Sequence, residues 1–229
     1  MTEDADRHSK AFEAELITDP DELARREARN GLRQFDAVME IVEYHLQPDR
    51  PFKLRPSTLL HLHRIALDGI SRYAGNYRPA GIEIRGSVHK PIGAHLVPEE
   101  IEHLCDYVND HGVSVSPIHV AAYVLWRLNW IHPFTDGNGR TARAASYLVL
   151  CLRLRMLLPG VNAVPEQIAK DKTPYYRALE AADEAQRNGR DDLSELETLL
   201  SETLANQLLS IHQAAGASER SEPEEPKLH

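Results

Sequence analysis

The chain is 229 residues long, 42% hydrophobic and 27% charged, with a formal net charge of −9 and a sequence pI of about 5.7. That length suits one well-buried core with at most a small extension, and the acidic balance, with no basic stripe to offset it, excludes a general nucleic-acid binder. The most apolar run, Ala144 to Leu158, is broken by Arg153 and Arg155 and falls short of the roughly 20 residues that cross a bilayer, which argues against a membrane role.

The first twenty residues carry Glu3, Asp4, Asp6, Glu13 and Glu15 in place of a basic start and apolar middle, so a cytoplasmic protein is expected. Residues 1–18 read as a flexible segment. Asp19-Pro20-Asp21-Glu22 supplies a capping acceptor, a first-turn proline and an early acid. The apolar period that follows, through Leu32, Phe35, Met39, Val42 and Leu46, predicts a helix from Pro20 to Leu46 within a helical extension over 19–55.

Pro56 opens a second helix toward Ile70, in which His61 and His63 point to different sides and read as structural or surface residues, not metal ligands. From Gly81 to Pro91, Ile82 and Ile84 alternate with Glu83 and Arg85 before Gly86-Ser87, which predicts a short β-hairpin. Pro98 opens a helix toward Gly112, Ser116-Pro117 one to Ile131, and Thr173-Pro174 one toward Gly189. Cys105 and Cys151 have no close pair or neighbouring ligand set and read as buried, reduced thiols. Residues 56–210 are expected to form the principal domain and 211–229 a disordered tail, since Gln213 to His229 lacks an apolar period. The expectation is an all-α bundle carrying one short hairpin.

Chemistry concentrates between Ile131 and Arg143. Pro133 stops the preceding helix, Gly137 and Gly139 allow a tight loop, and a helix starting near Asn138 would present unpaired N–H groups and a positive dipole end to phosphate. Asn138 can add a side-chain amide donor. Arg140 and Arg143, three apart, share a helix face and suit successive phosphates. Asp136 is placed to hold Mg²⁺ beside phosphate oxygens, and His132 is the type of side chain that accepts a proton near neutral pH. Together these parts describe phosphoryl or nucleotidyl transfer.

HPFTDGNGRTAR, residues 132–143, resembles in full the motif of the Fic family: His, any, Phe, any, Asp or Glu, Gly-Asn-Gly-Arg, two variable residues, Arg. The similarity extends from about Pro56 to Glu180, and Gly75-Asn76-Tyr77-Arg78 resembles the Gly-x-Tyr-Arg element that precedes the family's flap. The resemblance implies a Fic-type helical bundle with a β-hairpin flap and a protein adenylyltransferase, moving AMP from ATP to a Ser, Thr or Tyr hydroxyl of a target protein. By position, it implies that His132 is the base, Phe134 the loop's anchor and Asp136 the Mg²⁺ ligand. Gly137, Asn138 and Gly139 would form the anion hole, Arg140 would stabilise the leaving diphosphate, and Arg143 would position the γ-phosphate.

The same resemblance implies a flap that pairs with the target, with Ile82, Ile84, Val88 and His89 as contacts, and a nucleoside pocket near Tyr175 and Tyr176. It also implies restraint by a glutamate that pairs with the second motif arginine; Glu27 is the best N-terminal candidate, although Leu23 and Ala28 depart from that pattern. Self-inhibition, an antitoxin-like inhibitor in trans and homo-oligomerisation all stay open. Other members of the family transfer UMP or phosphocholine, or are the kinase-like Doc toxins, which lack the glycine present here as Gly137. A nucleotide-binding regulator without chemistry is the alternative from another class.

Overall fold

A computed structural model describes residues 16–84, 86–111, 115–158 and 161–219, with the backbone alone for 211–219. Helix α1 spans Pro20–His45; Asp19 caps it by accepting the Asp21 N–H at 2.9 Å, as the opening tetrapeptide predicts. Phe35, Met39, Val42 and Leu46 join the core, whereas Leu32 is 70% exposed. Helix α2, Pro56–Ala66, stops short of the expected Ile70 because the chain turns at Leu67, and Gly69 takes a φ of +70°. The buried Asn30 amide of α1 donates to the freed carbonyls of Ala66 and Asp68 at 3.2 and 2.8 Å, so the neighbouring helix meets the needs of that end.

Helices α3 (Val97–Asp110) and α4 (Pro117–Ile131) follow; Ser116 caps α4 by accepting the His119 N–H at 3.1 Å. Helix α5, Asn138–Leu154, is the axis of the molecule. Thr141, Ala142, Ala145, Leu148, Leu150 and Cys151 are buried around its circumference, where α1, α2, α4 and α6 (Val164–Lys170) pack against it. Helices α7 (Thr173–Arg187) and α8 (Ser194–Glu219) close the other flank of α4. Both cysteines are buried and unpaired, and burial pushes their thiols up to about 12 at Cys105 and about 11 at Cys151.

Two expectations need correction. Over Gly81–Pro91 no strand ladder forms among the described residues: Ile84 makes an isolated bridge, and the Ser87 N–H donates to the Ile84 carbonyl at 3.3 Å around Gly86, whose φ is +74°. The turn is therefore as the Gly-Ser pair predicts, but arms this short do not sustain pairing and are tied down by side chains instead. The second correction concerns the tail, since α8 continues to Glu219; residues 220–229, like 1–15, lie outside the described residues.

Helices α6 and α8 were not legible in the sequence. The first is too short to show a period, and the second is interspersed with Ser, Thr and Glu and holds its place through buried contacts of Leu196, Leu200 and Gln207. Among the described residues, no helix is long and apolar enough to cross a membrane.

Candidate active site

Helix α4 ends at His132, whose backbone swings into the left-handed region at φ 52°, ψ 58° ahead of Pro133. The imidazole is buried. Its Nδ1 lies 3.2 Å from the Asn129 carbonyl, an acceptor only, so the ring proton sits on Nδ1 and Nε2 carries the lone pair. That Nε2 is buried and has no partner. Burial pushes the ring's pKa down to about 4, partly opposed by the Asn129 carbonyl.

Two residues away, Phe134 anchors the loop. It is fully buried and stacks on the His63 ring, centroids 3.7 Å apart and planes 6° from parallel. His63 accepts the Gly75 N–H on Nδ1 at 3.0 Å and donates from Nε2 to the Asp136 carbonyl at 3.0 Å, so this buried histidine stitches α2 to two loops. Here the structural reading of His63 holds, and His61 is exposed. Asn138 also ties the loop together: its amide donates to the Phe134 carbonyl and accepts the Phe134 N–H, both at 2.9 Å. The loop's buried backbone groups need those partners.

Helix α5 begins on this loop with no side-chain cap and no acid in its first turn, leaving its dipole and N–H groups directed into the cleft. Gly137 stands at φ +74°, and a Cβ there would lie 2.3 Å from Leu67 Cδ2. Asp136 accepts the Gly137 N–H on Oδ1 at 2.6 Å and Arg140 Nη2 on Oδ2 at 3.1 Å. The other guanidinium nitrogen of Arg140 reaches Glu27 Oε1 on α1 at 3.0 Å. The Glu27 carboxylate thus arrives at the motif as expected, but at its first arginine. A Cβ on Gly139 would lie 3.3 Å from Arg143 Nη1, which sets the second guanidinium against the same first turn.

These groups line one cleft of about 380 Å³. Ile84 and His89 line it too, whereas Ile82 and Val88 do not, and Val88 is 80% exposed. Tyr175 and Tyr176 form part of the far wall. Tyr175, 1% exposed with its hydroxyl accepting from Asn129 Nδ2 at 2.7 Å, is a core residue that steadies the turn bearing His132.

The Fic/DOC family model matches residues 53–150. The chain carries a Fic domain. It is 33% identical over 157 residues to protein adenylyltransferase Fic of Drosophila persimilis, covering 68% of this chain and 29% of that protein. It is 28% identical over 155 residues to protein adenylyltransferase fic-1 of Caenorhabditis elegans, covering 67% and 29%. The solved Fic family protein of Desulfovibrio desulfuricans G20 superposes with a TM-score of 0.61 at 21% identity over 91% of this chain and 57% of that one. The matched region is under a third of the length of the curated relatives.

Within this Fic domain, tertiary contacts add residues that the motif did not signal. Arg78 is 3% exposed and donates from Nε to the His132 carbonyl at 2.7 Å, from Nη1 to Ala80 at 2.9 Å and from Nη2 to Ile92 at 2.5 Å. One guanidinium therefore joins the base of the flap region to the residue that ends α4. Asn129, Trp130, Lys172 and Asp183 also line the cleft; their place depends on helix packing and leaves no local pattern. Gly137→Ala should destabilise the Fic domain by about 2 kcal/mol or more through the left-handed φ and the clash with Leu67. It should also weaken nucleotide binding; urea denaturation and nucleotide titration check the pair.

Proposed function

We propose that this Fic domain transfers the AMP moiety of ATP to a Ser, Thr or Tyr hydroxyl of another protein. The observation that carries the reading is His132, which lines the same cleft as the uncapped first turn of α5 and whose Nε2 has no hydrogen-bond partner among the described residues. A target hydroxyl gives its proton to that nitrogen as its oxygen bonds to the α-phosphorus. The bond from that phosphorus to the diphosphate oxygen breaks, and diphosphate leaves toward Arg140 and Arg143. The main-chain N–H groups of Asn138 and Gly139 meet the phosphate oxygens, while Gly137 makes room for the turn.

Among the described residues, no three His, Cys, Asp or Glu side chains converge on a metal. A single carboxylate beside a phosphate cradle fits Mg²⁺ all the same, because that ion takes most of its ligands from phosphate and water. Asp136 Oδ2 would hold it, released from Arg140. The ion when bound supplies charge neutralisation on the transferring phosphates.

Glu27 extends the reading to regulation. Its carboxylate occupies Arg140, so α1 restrains the domain from within. Supporting the transfer reading are the relatives' names, the intact motif and the neutral, unpartnered base. The test offers ATP labelled at the α-phosphate, Mg²⁺ and cell lysate to the purified protein. Label on protein with wild type and none with His132→Ala is expected; ATP binding with no transfer of α-label by wild type or Glu27→Gln would overturn the reading.

A further inference from the structure

Beyond the turn at Gly86, residues 86–92 run without strand pairing, yet Ser87 and His89 form one wall of the cleft. Apolar burial holds this arm at its far end, where Ile92 packs against the core, and not in its middle, where Val88 points to solvent. Its far end is fixed where Arg78 takes the Ile92 carbonyl. In its middle, His89 Nε2 donates to the Trp130 carbonyl at 2.8 Å, while Nδ1 stands 3.7 Å from Asp183 Oδ2 on α7. The two side chains are 13% and 15% exposed, largely withdrawn from competing water.

The partners on both sides are themselves fixed. The carbonyl of Trp130 belongs to the last turn of α4, where backbone acceptors have no intrahelical donor, and it lies two residues before His132. The other oxygen of Asp183 accepts the Trp126 indole N–H at 2.8 Å, which holds the carboxylate from α4 as well as α7. Arginine 127 stacks over the Trp130 ring, 4.1 Å from its centroid, and braces the same turn. With both ring nitrogens facing protein partners, the His89 side chain has no spare polar atom for a target strand.

We infer that His89 is a positioning residue: it latches the 86–92 arm to the helical turn that presents His132, and so holds in place the cleft wall against which a protein target docks. The functional consequence rests on the adenylyl-transfer reading, whereas the latch rests on the contacts alone. A chain segment with so few other contacts depends on single hydrogen bonds for its position.

Trp126 and Trp130 are the only two tryptophans of the chain, and both belong to this cluster, so intrinsic emission reads the latch without ligand or turnover. His89→Ala, verified as folded by thermal melting, should change that emission and speed tryptic cleavage after Arg85. It should also raise KM for the protein target about ten-fold, as expected for loss of a partly buried hydrogen bond with a charged neighbour, while kcat changes less. His89→Gln, whose amide can donate to the same carbonyl, should recover most of the KM. Unchanged emission and cleavage in His89→Ala, or a fall in kcat at constant KM, overturns the latch. A wild type that modifies no protein, while emission and cleavage still respond to the substitution, supports the latch and overturns the transfer reading.

Discussion

His132→Ala is expected to lower transfer of α-label by about 10³-fold, the usual worth of a positioned general base, with nucleotide affinity little changed. The local geometry says why no neighbour substitutes: Nδ1–H is committed to Asn129, and Nε2 is the atom left without a partner. The pH profile follows from burial, which holds the ring's pKa down to about 4. The base form is thus present throughout the neutral range, and transfer should decline as pH falls through about 4, not through the ordinary imidazole range near 6.5.

The same depression has a consequence for stability. Below about pH 6.5 the unfolded chain binds a proton at this position that the folded protein refuses, so stability present above that pH is lost progressively down to about 4. His63, likewise held to about 4 by burial, acts in the same direction. Each is worth on the order of 3 kcal/mol across that window. Urea denaturation at pH 7 and pH 5 should show the acid loss, and His132→Ala should flatten it.

Glu27→Gln is expected to raise transfer about ten-fold or more while leaving the melting temperature nearly unchanged. Two magnitudes separate these effects. The Glu27–Arg140 pair is 42% and 26% exposed, and such a pair contributes only about 0–1 kcal/mol to folding. A carboxylate held beside an incoming polyphosphate instead repels it by a few kcal/mol at about 4 Å in a partly screened site, and withholds the guanidinium that should receive the diphosphate. Initial rates with α-labelled ATP, paired with thermal melts, measure both. Equal rates in variant and wild type would make Glu27 an ordinary surface acid, and a large fall in melting temperature would make it a structural one.

Placement of Glu27 shows where sequence reasoning stops. Its position on α1 was readable as a candidate, but the arginine it meets was not, because that depends on how α1 crosses α5. The flap tells the same story. Gly86-Ser87 correctly marks a turn, since φ above zero is a local matter, whereas the expected ladder required two arms to pair and the structure ties them elsewhere through Arg78 and His89.

By itself the sequence determined what acts within a few residues: the proline-led helix starts, the Asp19 and Ser116 caps, the all-α character and a motif whose glycines, carboxylate, base and arginines must lie together because twelve consecutive residues carry them. Tertiary structure alone decided what depends on distant partners. Only packing shows that Asn138 spends its side chain on Phe134, that His63 spans three segments, that Tyr175 braces Asn129, and that a buried Arg78 binds three carbonyls. The physical reason is common to them all: a buried polar group must find a partner wherever the fold brings one, and that partner's place along the chain is set by helix packing, which no local period encodes.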